Sequence, residues 1–258
     1  MKVLNLTTGC WILLLVLPQH VIAVEIRVAV VMAFAETLQQ IKPLFEQETG
    51  HTLIIIEDSA GAIQQRIKDG EVIDVFLCSE QERPKELIRE KLAIPESFVV
   101  YSLGRLVLWA KSAITLPLDE NSLLKINKLA LPDPKNSPYG HAAQQALEKL
   151  KLWSQMQTHI RLVKNTAVAY EETQRNNTDA GFIGLSQYLS STDNLGTAYW
   201  IIPQYLYPPI YHAAVVLKAT KYPKEAQSLL QFLRHPAALK IIHDYGFRTL
   251  EEPQDRDD

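Results

Sequence analysis

Ile26 to Gly61 reads IRVAVVMAFAETLQQIKPLFEQETGHTLIIIEDSAG, and this stretch decides the fold. Its first block, IRVAVVMAF, and its third, HTLIIIEDSAG, carry short apolar runs rich in Val and Ile, the pattern of parallel strands buried on both faces. Between them, Thr37 to Glu48 sets Leu38, Ile41, Leu44 and Phe45 on one helical face, and Gly50 supplies the residue that ends such a helix. The alternation continues with a helix over Ala62 to Lys68, stopped by Asp69-Gly70, then a strand over Ile73 to Cys78 (IDVFLC) and a helix over Glu82 to Glu90. The chain therefore opens as βαβα. Sheets of this kind bind ligands beyond the C-terminal ends of their strands, where helix N-termini present unpartnered N–H groups and a partial positive charge. The strand-to-helix junctions are thus expected to hold a small anion.

Working outward, strands are expected over Phe98 to Tyr101 and Leu106 to Ala110, with Gly104 as the bend between them. A short strand at Leu129 to Leu131 leads through PDPKNSPYG into a helix from His141 to Leu150. Further strands fall at Ile160 to Lys164 and Ala180 to Gly184, around a helix from Val168 to Arg175. In the stretch AYWIIPQYLYPPIYH, prolines at 203, 208 and 209 argue against a central strand, whereas Ala213 to Leu217 reads as one more buried strand. Helices over Lys224 to Leu233 and Ala237 to Tyr245 follow, and the charged tail from 248 to 258 reads as disordered. The fold class is α/β with mainly parallel sheets.

The 258 residues suffice for one large or two modest domains, and 47% hydrophobic content allows an ordinary core. Lys2, the apolar run CWILLLVL from Cys10 to Leu17 and the small-residue pattern Val21-Ile22-Ala23 form a secretory signal peptide over 1–23. That run is too short to span a bilayer, which takes about 20 residues. Cys10 after Gly9 raises a lipoprotein reading, but the apolar run follows this cysteine rather than preceding it. With Cys10 removed only Cys78 remains, so the mature chain has no internal disulfide, and Cys78 reads as buried and inert. A net charge of −3 gives no footprint for nucleic acid or a membrane surface. The histidines lack the spacing of a metal site, and GxSxG, HExxH and CxxC are absent, which argues against metal and hydrolase chemistry. The aromatics from Tyr199 to Tyr211 suit packing better than sugar stacking.

The motifs VAVVMAFAETL, FEQETGH, QQRIKDGEVIDVFLCSEQERPKEL, YSLGRLVLWAKS, LALPDPKNSPYGHAAQQAL, DAGFIGLSQY and FLRHPAALKIIHDYGF occur in order across Val24 to Phe247. In these the chain resembles the periplasmic molybdate-binding proteins, the substrate-binding components of ATP-driven importers. The resemblance implies a two-lobed type II periplasmic binding protein fold, with 24–102 and 213–247 as lobe one and 103–212 as lobe two. Hinge crossings would fall near Tyr101 to Leu106 and Pro209 to Ala214. It further implies a monomer without cofactor that captures molybdate or tungstate in the periplasm and delivers it to an inner-membrane ABC permease with its ATPase.

The same resemblance assigns the anion to donors from four loops: Ala33 with Phe34, Ser59 with Ala60 and Gly61, Tyr139 with Gly140 in SPYG, and Asn165 with Thr166 in KNTAV. Binding would rest on backbone N–H groups and hydroxyls, with Ser59, Thr37, Tyr139 and Asn165 as side-chain contacts, and not on Lys or Arg. Ser59 reads equally as a helix N-cap, as do Asn165 and Thr166, and Tyr139 as an ordinary loop aromatic. The chain departs from the family at Ala33, where relatives carry Ser or Asn, at Ala60, where they carry a second Ser, and at Gly184, where some carry a Tyr. Glu57 and Asp58 precede Ser59 where relatives are uncharged. These departures leave open a cleft for another small ligand, or a signalling ectodomain of the same fold.

Overall fold

A computed structural model describes residues 23–111, 118–191 and 197–250. All but the last residue of the expected signal peptide, and residues 251–258 of the expected tail, lie outside them. Strand β1 (Glu25–Val31) runs into helix α1 (Met32–Thr49), then β2 (Thr52–Asp58), α2 (Ala60–Lys68), β3 (Val75–Cys78), α3 (Glu82–Arg89) and β4 (Val99–Gly104). A second group follows: β5 (Leu106–Ala110), β6 (Leu129–Pro132), α4 (Pro138–Lys149), α5 (Trp153–Met156), β7 (Ile160–Val163), α6 (Thr166–Gln174), β8 (Ala180–Gly184), α7 (Leu185–Ser190) and β9 (Ala198–Ile201). The chain then returns with β10 (Ile210–Val216), α8 (Pro223–Phe232) and α9 (Pro236–Asp244).

Two five-stranded sheets result, ordered β2-β1-β3-β10-β4 and β7-β6-β8-β5-β9. In each, one strand runs against the other four: β10 in the first sheet and β5 in the second. The alternating side chains of β1 feed both faces of its sheet, Ile26, Val28 and Val30 into one apolar cluster and Ala29 and Val31 into another. Leu38, Ile41 and Phe45 of α1 are buried against the first face, and Gly50 closes that helix at φ +71° with its N–H on the Glu46 carbonyl.

The chain passes between sheets at Arg105 and returns between Ile201 and Ile210. The return therefore lies ahead of most of the Pro209–Ala214 stretch expected for it, because β10 pairs in the first sheet along its whole length. Order also extends past the expected start of the tail: Arg248 and Leu103 exchange both backbone hydrogen bonds.

Register fixes where the loops emerge. Val31 pairs with Asp58 at the ends of β1 and β2, so Met32 and Ser59 leave the first sheet side by side. Pro132 pairs with Val163 at the ends of β6 and β7, which sets Asp133 and Lys164 level at the edge of the second sheet.

Candidate oxyanion cleft

Four helix N-termini meet on one cavity of about 500 Å3. From the first sheet, α1 brings Ala33 and the β2–α2 junction brings Ser59, Ala60 and Gly61; from the second, α4 brings Tyr139 and α6 brings Asn165 and Thr166. Each helix begins directly at a strand end or after a short turn, so its first N–H groups have no intrahelical acceptor.

The caps decide which of those N–H groups stay available. Ser59 Oγ accepts from Ala62 N–H at 3.4 Å, Ser137 Oγ from Gly140 N–H at 3.3 Å and Asn165 Oδ1 from Val168 N–H at 3.0 Å. All three capping side chains serve the third helical position, which leaves the N–H groups of Ala60 and Gly61, of Tyr139, and of Thr166 and Ala167 facing the space between the sheets. Val31 caps α1 with no side-chain hydrogen bond, so no side chain caps the first-turn N–H groups of α1. The four helix dipoles add partial positive charge at the same place, which suits an anion of high symmetry.

Two of the expected residues stand off the lining. Phe34 is fully buried, its ring packed edge-on against Tyr101 at 4.7 Å and Phe247 at 5.2 Å, because the helix begins at Met32 and turns this side chain into the core. Gly140 gives its N–H to Ser137 and lies against the end of β6, where an added Cβ would meet the Pro132 carbonyl oxygen at 2.0 Å. The helices start earlier than periodicity indicates, α1 at Met32 instead of Thr37 and α4 at Pro138 instead of His141, since residues of the first turn need no amphipathic pattern to be helical.

Side-chain roles differ as well. The Tyr139 hydroxyl lies 3.1 Å from His212 Nε2 on β10, and its ring fills the space beside Gly184, where a Cβ would sit 3.2 Å from Tyr139 Cε1. Tyr139 thus offers the cavity its backbone and spends its hydroxyl on a contact between the lobes. Burial lowers the His212 pKa to about 3, so the ring is neutral and its Nδ1 has no partner. Thr37 is buried off the cavity with its hydroxyl unpartnered.

Periodicity gave no signal for the charged residues on the lining: Asp58, Arg83, Asp133 and Lys164. The rule that ligands sit beyond strand C-termini does reach them, because each follows or ends β2, β3, β6 or β7 closely in sequence. Asp58 accepts the Ser59 N–H at 2.7 Å and lies 3.8 Å from Arg66, while Arg83 pairs with Glu80. Glu57 points to a neighbouring hollow with Glu36, where burial first and Glu36 second raise its pKa. Cys78 is buried with its thiol pushed up to about 12, which leaves it unreactive. Among the described residues, no group of His, Cys, Asp and Glu suited to a metal ion occurs, and no helix is long and apolar enough to cross a membrane.

Comparison with known proteins agrees with this geometry. Residues 26–248 match the family described as bacterial extracellular solute-binding protein. The chain is 34% identical over 227 residues to the molybdate-binding protein ModA of Rhodobacter capsulatus, covering 87% of this chain and 88% of that one. It is 32% identical to ModA of Azotobacter vinelandii, covering 87% and 90%. Among solved structures, the periplasmic molybdate-binding protein of Azotobacter vinelandii superposes with a TM-score of 0.79 at 28% identity, over 87% of this chain and 99% of that one. The chain therefore belongs to the bacterial extracellular solute-binding proteins, with the two-lobed type II periplasmic binding fold, and within them to the molybdate-binding group.

Proposed function

We propose that this protein captures molybdate, or its isostere tungstate, outside the cytoplasm and delivers it to an ABC permease with its ATPase. The observation that carries this reading is the meeting of helices α1, α2, α4 and α6, two from each sheet, on a single cavity. A tetrahedral dianion spreads its charge over four equivalent oxygens, and converging N–H groups can meet all of them without a metal or a cofactor. The ligand sites proposed are Ala33, Ser59, Ala60, Gly61, Tyr139, Asn165 and Thr166, acting chiefly through their backbones.

The protein binds and releases its ligand without transforming it. No histidine or cysteine lines the cavity, and the Ser59 and Ser137 hydroxyls cap helices instead of pairing with a base. Export by cleavage after Ala23, a division into two lobes with crossings at Arg105 and between Ile201 and Ile210, and action as a monomer in the periplasm complete the proposal.

Ala33 and Ala60 both face the cavity without a hydroxyl, so affinity is expected to fall below that of a relative with both. A hydrogen bond to a charged group contributes about 1.5–3 kcal/mol. Isothermal titration with molybdate, tungstate, sulfate and phosphate tests the reading. Saturable one-to-one heat from the first two is expected, and no heat from any of the four overturns it.

A further inference from the structure

We infer that Lys164 is a charge-selecting residue, making the cavity favour divalent over monovalent anions of the same shape. The inference rests on the reading of this cavity as an oxyanion site and adds a determinant to it. Backbone N–H groups recognise the shape and hydrogen-bonding capacity of an anion, and a tetrahedral monoanion presents the same four oxygens as a dianion. A full positive charge tells them apart, because its attraction scales with the charge on the ligand.

Among the described residues, Lys164 is the lining cation without an ion-pair partner. Arg83, the other, is held by Glu80 beside it. The two lining carboxylates are likewise engaged: Asp58 by the Ser59 N–H and Arg66, and Asp133 by the Lys135 N–H at 3.0 Å and the Asn136 side-chain amide at 2.7 Å. Asp133 is the carboxylate at the neighbouring strand end, yet no ion pair joins it to Lys164. Lys164 leaves the end of β7 one residue before the Asn165 cap, so it lines the cavity beside the same N-terminus that offers the Thr166 and Ala167 N–H groups. It follows the end of β7 at the edge of the second sheet, across the cavity from α1 and α2, and is exposed to solvent.

Tungstate and perrhenate test this, being tetrahedral oxyanions of closely similar size that carry two charges and one. Titrations of the full mature chain compare the wild type, Lys164→Gln and Lys164→Arg in low salt and in about 0.5 M salt, where screening shortens to a few ångströms. Lys164→Gln is expected to weaken tungstate about tenfold and perrhenate about threefold in low salt, since halving the ligand charge halves the logarithm of the effect. Lys164→Arg is expected to keep the wild-type ratio, and high salt to shrink the difference. Equal loss for both ions, or no loss for tungstate with Lys164→Gln, overturns the inference while leaving the oxyanion site standing. A wild-type protein that binds neither ion removes both.

Discussion

Tyr139 shows how one residue divides its labour. Its N–H belongs to the cavity at the start of α4, while its hydroxyl, 3.1 Å from His212, ties the second lobe to a strand of the first. Gly104 makes room for that hydroxyl, since a Cβ there would lie 2.3 Å from it. With Nδ1 already unpartnered, Tyr139→Phe leaves the buried His212 ring without any hydrogen bond, at a cost of about 1–3 kcal/mol. Thermal unfolding should fall by about 2–4 °C per kcal/mol, whereas molybdate affinity should change little because the N–H remains. An unchanged melting midpoint, or abolished binding in a folded variant, contradicts this division. From the sequence, the SPYG turn marked Tyr139 as a site residue but could not say which of its groups faced the ligand. His212 lies 73 residues away, and nothing local pairs them.

At the scale of elements, the strand-to-helix junctions were legible because Val and Ile runs and polar caps are local signals. Helices start earlier than periodicity indicates, since the first turn of α1 is Met32-Ala33-Phe34 and continues the apolar run of β1 without a break. That offset matters for the proposed site, which is made chiefly of first-turn N–H groups. Ser59 resolves into an N-cap of α2 by its contact with Ala62 N–H. Ser59→Ala should lower stability by about 0.5–2 kcal/mol in urea unfolding. Ser59→Asp restores the cap and should recover most of that stability while suppressing oxyanion binding, since its carboxylate faces the same cavity. Recovery of binding along with stability would show that Ser59 does not face the anion.

The whole molecule places two sheets so that their strand ends look at one another, and this was not legible from periodicity, which is silent on how sheets face. Resemblance supplied the two lobes. The antiparallel strand in each sheet and the early return at 202–209 follow from a chain that must leave the first sheet at Gly104 and re-enter it along β10. Lys164 escaped the sequence reading for the opposite reason: the resemblance led to neutral donors, and a lysine at a strand end looks like any solvated charge until the cavity is seen around it. The most direct test of the account is anomalous scattering from crystals of the protein grown with tungstate. It should show one tungsten peak between the N-termini of α1, α2, α4 and α6, with ligand oxygens in hydrogen-bonding reach of backbone N–H groups from both lobes. A tungsten peak at any other place on a well-ordered molecule, or none with the cleft open to solvent, contradicts it.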